Sequence, residues 1–218
     1  MFRKLKDPAS ALSHLLGALL SVAGLVYLLC RAVTQATVWH TVSFAIYGGS
    51  LILLYTASTV YHAVRASEHW TRILRKLDHS MIFVLIAGTY TPICLVVLEG
   101  AWRWSLLSGV WAIAVAGIVL KLLWLEAPRW LSTVIYVVMG WLVVVASAPL
   151  TRSMVPAGLW WLLAGGILYS VGAAIYGTKW PRITIPGFGF HEIFHLFVLG
   201  GSLAHFWVMV RFVLAIPQ

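Results

Sequence analysis

The sequence predicts an all-α integral membrane protein: a bundle of seven transmembrane helices that forms a single domain over residues 1–218. Two observations carry this prediction. Hydrophobic residues make up 61% of the chain and charged residues only 10%, whereas about a quarter of the residues in a soluble domain are charged. The hydrophobic residues also form long runs, and a helix needs roughly 20 apolar residues to cross a bilayer core of about 30 Å. The composition therefore excludes an ordinary water-soluble enzyme or binding domain.

The apolar runs locate the predicted helices, and turn-forming or charged residues separate them. The runs lie at about 10–33, 41–64, 78–98, 102–124, 130–149, 156–176 and 190–214. The connections include Glu99-Gly100 and the proline-containing segment 126–129, which are typical of turns. The first run is too long for the apolar part of a signal peptide, so we expect it to stay in the membrane. The fourth run contains Lys121, whose ammonium we expect to extend to the interface.

The Lys and Arg residues predict the orientation of the bundle, because cytoplasmic connections carry an excess of positive charge. One side holds four basic residues: Arg31, Arg103, Arg152 and Arg211. The other side holds eleven: Arg3, Lys4, Lys6, Arg65, Arg72, Arg75, Lys76, Lys121, Arg129, Lys179 and Arg182. We therefore predict a cytoplasmic N-terminus and an external C-terminus. The basic residues lie in short segments beside apolar runs, which indicates membrane lipids rather than nucleic acid as partners and leaves the oligomeric state open.

Five of the polar residues that interrupt the apolar pattern are brought to the cytoplasmic side by the predicted topology. Ser58 and His62 lie four residues apart near the inner end of the second run, so they share one helix face. Asp78 opens the third run, and His191 and His195, also four residues apart, open the seventh. Ionisable groups inside membrane spans are costly and indicate function. Because these three helix ends lie on one side of the membrane, the polar residues can converge.

Three imidazoles and a carboxylate at one place suggest a zinc site, because zinc favours nitrogen ligands in a four-coordinate arrangement. Cys30 and Cys94 lie apart inside apolar runs, which excludes a cysteine-rich site. The scarcity of carboxylates excludes an all-oxygen site for magnesium or calcium, while iron and manganese remain alternatives. Taken singly, His62 could hydrogen-bond between helices and Asp78 could cap its helix. Their joint occurrence favours the metal site.

Two further histidines, His14 and His205, lie inside apolar runs. We interpret both as polar packing residues, with the lining of a cavity as the alternative. His205 lies ten residues beyond His195, and this separation corresponds to about 15 Å along a helix. These two histidines therefore cannot bind the same metal ion.

The segment from His191 to His195 matches the pattern H-E-x-x-H, in which two histidines bind zinc and the glutamate activates water in a metalloprotease. An intramembrane protease is therefore one alternative. The chain offers no usual third ligand downstream, since no Asp or Glu follows Glu192 and Gly201 stands where a third histidine would be expected. The remaining ligand must come from upstream, and His62 is the candidate.

Several short motifs along the chain form a recognisable set. They are Ser58-x-x-x-His62, Lys76-Leu77-Asp78, Gly88-Thr89-Tyr90-Thr91-Pro92 and His191-x-x-x-His195, followed by Gly200-Gly201-Ser202 and His205-Phe206. This set resembles the hemolysin III family of bacterial membrane proteins over essentially the whole chain. That family belongs with the progestin and adipoQ receptors (PAQR), whose relatives by fold include alkaline ceramidases.

The resemblance implies a zinc ion held by His62, His191 and His195. It places Asp78 near the water on the metal and Ser58 one turn from the first histidine. It also implies a multi-pass protein of the bacterial cytoplasmic (inner) membrane with its N-terminus in the cytoplasm. The residue after the first of the paired histidines is not fixed as glutamate in that family, which argues against the protease and against a general base at that position.

The site residues and the resemblance together favour a zinc-dependent hydrolase that cleaves an amide or ester of a membrane lipid and acts in lipid homeostasis. Zinc would activate water and polarise the carbonyl. Asp78 would accept a proton and return it to the leaving group, while Ser58 would orient the water or stabilise the oxyanion. Two other classes stay open: a non-enzymatic sensor or receptor stabilised by zinc, and the membrane-lytic protein that the family name suggests.

Overall fold

The computed structural model describes residues 5–183, 185 and 187–216, without the side chain of Gln35. Within these residues it is a bundle of seven helices that are long and apolar enough to cross a membrane, and it contains no β-strand. This confirms the predicted fold class. The helices α1 to α7 are Pro8–Thr34, Val38–Ala63, Glu68–Val97, Gly100–Leu123, Arg129–Ser153, Pro156–Thr178 and Phe190–Val213.

The third helix begins earlier than the apolar run indicates. The predicted start at residue 78 is wrong, because α3 begins at Glu68. Six of its first ten residues are polar or charged, and two of these contact the end of α4 and the segment that follows it. Lys76 Nζ donates to the Leu122 carbonyl at 2.6 Å, and Arg75 lies 3.4 Å from Glu126. The run of apolar residues marks only the part of a helix that suits hydrocarbon, not the helix end. Asp78 therefore lies well inside α3, and its interpretation as a helix cap is wrong.

Helix α3 is the central helix of the bundle. Of its most apolar segment 72% is buried inside the protein, compared with 17–50% for the corresponding segments of the other six helices. Glycines permit close packing on two sides of α3. A Cβ atom on Gly88 would collide with Ser50 of α2, and one on Gly117 of α4 would collide with Phe83. This central position carries Asp78 into the interior of the bundle.

Helix α5 changes its helix type where it packs beside α3. Residues Leu142–Ala146 form a 3-10 segment between two α-helical parts. The hydroxyl of Tyr90 on α3 lies 2.7 Å from the carbonyl oxygen of Gly140 and accepts a hydrogen bond from the amide of Val143 at 2.8 Å. One buried side chain thus satisfies backbone groups that the change of helix type leaves without their regular partners. The contact fixes α5 as one wall of the interior cavity described below.

The end of α2, the first turns of α3 and the start of α7 lie at the same end of the bundle, which we call the histidine end. This confirms the convergence expected from the topology. The N-terminal segment, residues 5–7, runs along the end of α2: the amides of Lys6 and Asp7 donate to the carbonyl oxygens of Ala63 and His62 at 3.3 and 2.8 Å. Arg3 and Lys4, used in the charge count, lie outside the described residues. A cytoplasmic location of the histidine end stays a prediction.

Candidate metal centre

Three histidine side chains meet at the histidine end. His62 lies in the last turn of α2, and His191 and His195 lie in the first turns of α7. Taking one ring nitrogen from each residue, the three nitrogens all lie within 4.8 Å of one another. Nε2 of His62 is 3.2 Å from Nε2 of His191. Three nitrogens in this arrangement could hold a metal ion, as the sequence predicts.

The three histidine side chains are largely buried. His195 is 1% exposed and His62 is 4% exposed, while His191 is partly buried. Buried polar atoms are costly unless they have partners. Imidazole nitrogens that face one another can share a single proton between two rings, but a cation satisfies all three at once. The donor set therefore fits a metal that prefers nitrogen ligands.

Glu192, the acidic residue of the H-E-x-x-H match, is engaged in two structural contacts. Its Oε2 accepts a hydrogen bond from the Gly189 amide at 2.8 Å and so caps the start of α7. Its Oε1 accepts from the Ser10 hydroxyl at 2.6 Å and ties α7 to α1. Both carboxylate oxygens are therefore occupied away from the metal-ligating nitrogens, which weighs against a general-base role for Glu192.

Two residues that the sequence interpretation missed contact the Nδ1 atoms of two of the histidines. Asp7 Oδ2 lies 3.0 Å from Nδ1 of His62, and Ser13 Oγ lies 3.3 Å from Nδ1 of His195. Neither contact has a local sequence signal, because the partners are 55 and 182 residues apart. Asp7 directly precedes Pro8, and this pair by itself indicates only the start of a helix.

Asp78 and Ser58 line the cavity beside the histidine group. Both are buried, at 8% and 2% exposure. Both side chains line the same cavity as the three histidines. Asp78 is not one of the atoms that converge as ligands. The structure thus brings all five predicted site residues to one cavity, with the Asp78 carboxylate outside the group of ligating ring nitrogens.

The other two histidines in the bundle also line this cavity. The ring of His14 stacks on that of His195, with 3.6 Å between centroids, and neither of its nitrogens has a hydrogen-bond partner in the described part of the chain. His205 lies deeper along α7, where its Nδ1 donates to the Gly201 carbonyl at 2.9 Å and its ring stacks on Tyr169. The alternative interpretation, that both histidines line a cavity, is therefore the one that the structure matches.

The cavity has a volume of about 510 Å³, which lies in the range of about 300–1,000 Å³ that is common for ligand pockets. Its apolar walls come mainly from α3 and α5 and include Ile82, Leu85, Ile86 and Val137. At the histidine end it is bordered by Arg75, Arg129 and Lys121. Lys121 was expected to extend to the interface, but it is only 3% exposed because it packs at the cavity instead.

Fold and site together define a multi-pass membrane protein with a buried group of histidines that could hold a metal ion at one end of its bundle. The chain belongs to the hemolysin III family, since the family model described as "Haemolysin-III related" matches residues 2–206. It is 42% identical to the "Hemolysin-3 homolog" of Bacillus subtilis (strain 168) over 217 residues, which cover 100% of this chain and 99% of the relative.

Two further relatives extend the match. The "Hemolysin-3" of Bacillus cereus is 41% identical over 209 residues, covering 96% of this chain and 92% of the relative. The human "Monocyte to macrophage differentiation factor" is 27% identical over 188 residues, covering 82% of this chain and 74% of that protein. These similarities confirm the family that the motifs indicated, and the human relative supports the wider relationship with the PAQR proteins.

Proposed function

We propose that the protein is a zinc-dependent hydrolase of a lipid amide or ester. The observation that carries the proposal is the shared cavity, which is bordered by the three ring nitrogens, the Asp78 carboxylate and the Ser58 hydroxyl. A metal-binding group beside a carboxylate and inside a mostly apolar cavity suits the hydrolysis of a linkage that joins polar and apolar parts.

Zinc is the metal that we propose for His62, His191 and His195. Three histidine ligands leave a fourth position open, which is the usual arrangement in catalytic zinc sites. When bound, zinc supplies a Lewis acid that polarises a carbonyl group and makes water a better nucleophile. The remaining chemistry falls to side chains of the protein.

Asp78 is the proton carrier in this proposal. Addition of water to the carbonyl carbon releases a proton, which the Asp78 carboxylate accepts. Asp78 then returns the proton to the leaving nitrogen or oxygen as the carbon–nitrogen or carbon–oxygen bond breaks, giving a carboxylic acid and an amine or alcohol. Ser58 lines the same cavity, and in this proposal its hydroxyl orients the water or stabilises the developing oxyanion.

The proposed substrate is a membrane lipid whose linkage reaches the histidine end. The apolar side chains of α3 and α5 would contact its hydrocarbon part, and the cavity extends from His195 toward His205, about 15 Å farther along α7. We place the protein in a bacterial cytoplasmic (inner) membrane, and the two bacterial relatives support the bacterial source. With the predicted orientation, hydrolysis would take place at the cytoplasmic interface and contribute to lipid homeostasis.

The test uses the purified full-length chain in lipid nanodiscs with a panel of lipid amides and esters. We expect wild type to release fatty acid, measured by mass spectrometry, and to lose this activity when zinc is chelated. Asp78→Asn should keep its zinc and lose about 10²–10⁴-fold in rate, the usual contribution of a general acid–base group. Glu99→Gln is the matched control, because it removes an exposed carboxylate at the opposite end of the bundle.

Wild type that carries zinc but turns over no lipid in the panel would contradict the hydrolase proposal. That outcome would favour the second candidate, a non-enzymatic sensor or receptor in which zinc links α2 to α7. The contact between His62 and His191 favours this candidate, because a shared metal would join the two helices at one end.

The names of the bacterial relatives make membrane lysis a third candidate. Purified protein added to dye-filled liposomes separates lysis from hydrolysis. Leakage that is equal in wild type and Asp78→Asn would support direct lysis, whereas leakage only with the active protein would make it a consequence of lipid hydrolysis.

A further inference from the structure

We infer that α1 and the segment before it supply the outer half of the metal centre. Asp7 and Ser13 are positioning residues that hold His62 and His195 with their Nε2 atoms free for the metal. This inference rests on the proposed metal site, but it does not depend on whether the protein is an enzyme.

The contact between Asp7 and His62 defines which ring nitrogen of His62 carries hydrogen. Asp7 Oδ2 lies 3.0 Å from Nδ1, and an ionised carboxylate can only accept hydrogen bonds. Nδ1 is therefore the donor, and the lone pair of the neutral ring lies on Nε2. That atom is the one that faces Nε2 of His191 at 3.2 Å. The carboxylate thus selects the form of His62 that can bind a metal at the centre of the group.

The contact between Ser13 and His195 leads to the same form of the ring by a different route. The Ser13 hydroxyl has one hydrogen, and its oxygen lies 3.0 Å from the carbonyl oxygen of Ser10, which can only accept. We assign the hydrogen to this shorter contact, so that the serine oxygen accepts from His195 Nδ1 at 3.3 Å. Nδ1 again carries the hydrogen, which leaves Nε2 as the ligand atom.

Hydrogen bonds to the backbone and a cation–π contact hold the segment that contains Asp7. Its amide donates to the carbonyl oxygen of His62 itself, at 2.8 Å, so Asp7 and His62 are linked through both backbone and side chain. The ammonium of the preceding Lys6 lies 3.7 Å from the centroid of the Tyr61 ring. Arg65 donates to the Leu5 carbonyl at 3.0 Å. The backbone of Asp7 is therefore held beside His62 before any metal binds.

Helix α1 is also tied to α7, which carries the other two histidines. The hydroxyl of Ser10 donates to Glu192 Oε1 at 2.6 Å, one turn from Ser13 on α1 and one residue from His191 on α7. The contacts from Asp7, Ser10 and Ser13 together connect α1 to both helices that provide ligands. Partners that orient metal-binding histidines in this way commonly contribute about 10–100-fold to metal affinity.

The experiment measures zinc affinity of the full-length chain in nanodiscs by competition with a chelator of known affinity. We expect Asp7→Ala to weaken zinc binding about 10–100-fold and Ser13→Ala to weaken it toward the lower end of that range. Asp7→Asn should fall between wild type and Asp7→Ala, because the amide oxygen still accepts from Nδ1. Glu99→Gln, which removes a carboxylate at the opposite end of the bundle, should bind zinc like wild type.

Cobalt(II) in place of zinc provides a second readout that a merely structural role of Asp7 would leave unchanged. We expect the visible absorption band for each bound cobalt ion to shift in Asp7→Ala and to be partly restored in Asp7→Glu, because the orientation of a ligand changes. If Asp7→Ala does not fold, the isosteric Asp7→Asn variant decides the question by the same two measurements.

The outcomes separate this inference from the proposed site. Wild type that binds no zinc would remove the metal centre and the inference together. Wild type that binds zinc, with Asp7→Ala and Ser13→Ala equal to it in affinity and in cobalt spectrum, would overturn the inference and leave the proposed site intact.

Discussion

Two buried polar clusters of this bundle contain histidine, but their polar atoms are satisfied in different ways. The deeper cluster, which we call the tyrosine network, consists of Tyr55, Tyr169, Ser202 and His205. The hydroxyls of Tyr55 and Tyr169 lie 2.7 and 2.8 Å from Ser202 Oγ, and Nδ1 of His205 donates to a backbone carbonyl. Its polar groups find partners within the protein, as polar residues between membrane helices usually do.

At the histidine end, some of the polar atoms face one another instead of a hydrogen-bonding partner elsewhere in the protein. Nδ1 of His62 and Nδ1 of His195 contact Asp7 and Ser13, while Nε2 of His62 faces Nε2 of His191. Imidazole rings that are held through Nδ1 and that face one another across a shared space form a cation-binding site rather than a packing contact. The comparison shows that a ligand site is distinguished from a polar core by how its polar atoms are hydrogen-bonded, not by the presence of histidine.

The largest expected effect is on metal content. His195→Ala should reduce bound zinc, measured by inductively coupled plasma mass spectrometry, from near one ion for each chain to almost none, because a ligand is removed. His205→Ala is the matched control, since it removes the histidine of the tyrosine network and should leave zinc unchanged. Equal zinc in wild type and His195→Ala would remove the distinction between the two clusters.

Chelation should act on only one of the clusters. A ligand at a hundred times its dissociation constant stabilises the folded state by about 2.7 kcal/mol, so removing zinc should lower the melting temperature of wild type measurably. We expect the same decrease in Ser202→Ala, because its site is distant from the metal. No decrease is expected in His62→Ala. A full decrease in His62→Ala would show that the chelator acts elsewhere.

A smaller effect is expected from breaking the tyrosine network. Ser202→Ala removes the shared partner of Tyr55 and Tyr169, and we expect a loss of about 1 kcal/mol, the scale of hydrogen bonds between membrane helices. Unfolding in denaturant measures this loss, and zinc content should stay at the wild-type level. Loss of zinc in Ser202→Ala would mean that the two clusters are coupled.

The smallest expected effect belongs to Glu192→Gln. The glutamine oxygen can still accept from the Gly189 amide, so the change in stability should stay within about 1 kcal/mol, the scale of one helix cap. Zinc content and lipid turnover should match wild type. A loss of turnover with zinc retained would instead identify Glu192 as a general base and revive the H-E-x-x-H interpretation.

Much of the candidate site could be predicted because connectivity constrains it. Apolar runs of sufficient length locate the spans, and an alternating path places the end of α2 and the start of α7 at one end of the bundle. Spacing of four residues places His191 and His195 on one face. These arguments need no knowledge of helix packing. The predicted start of α3 was wrong for a related reason. Hydropathy detects only the part of a helix inside the hydrocarbon core, whereas α3 begins earlier, at Glu68, and its first turns bond to the end of α4.

The contacts around the histidines could not be predicted in the same way. Asp7 and His62 meet because the N-terminal segment folds along the end of α2, and His14 stacks on His195 because α1 packs beside α7. Each contact depends on how two helices are rotated and how closely they approach. Lipid-facing and protein-facing positions are both apolar in such helices, so the pattern of residues leaves the rotation open.

The sequence by itself determined that the bilayer is the solvent, that seven helices cross it, and that histidine, carboxylate and hydroxyl groups gather at one end. Run length and connectivity are sufficient for those conclusions. Only the tertiary structure decided which nitrogens face inward, that Asp7 and Ser13 hold the rings from outside, and that a cavity joins this end to the middle of the bundle. Those features depend on side-chain directions at distances of a few ångströms, which follow from packing between helices distant in sequence.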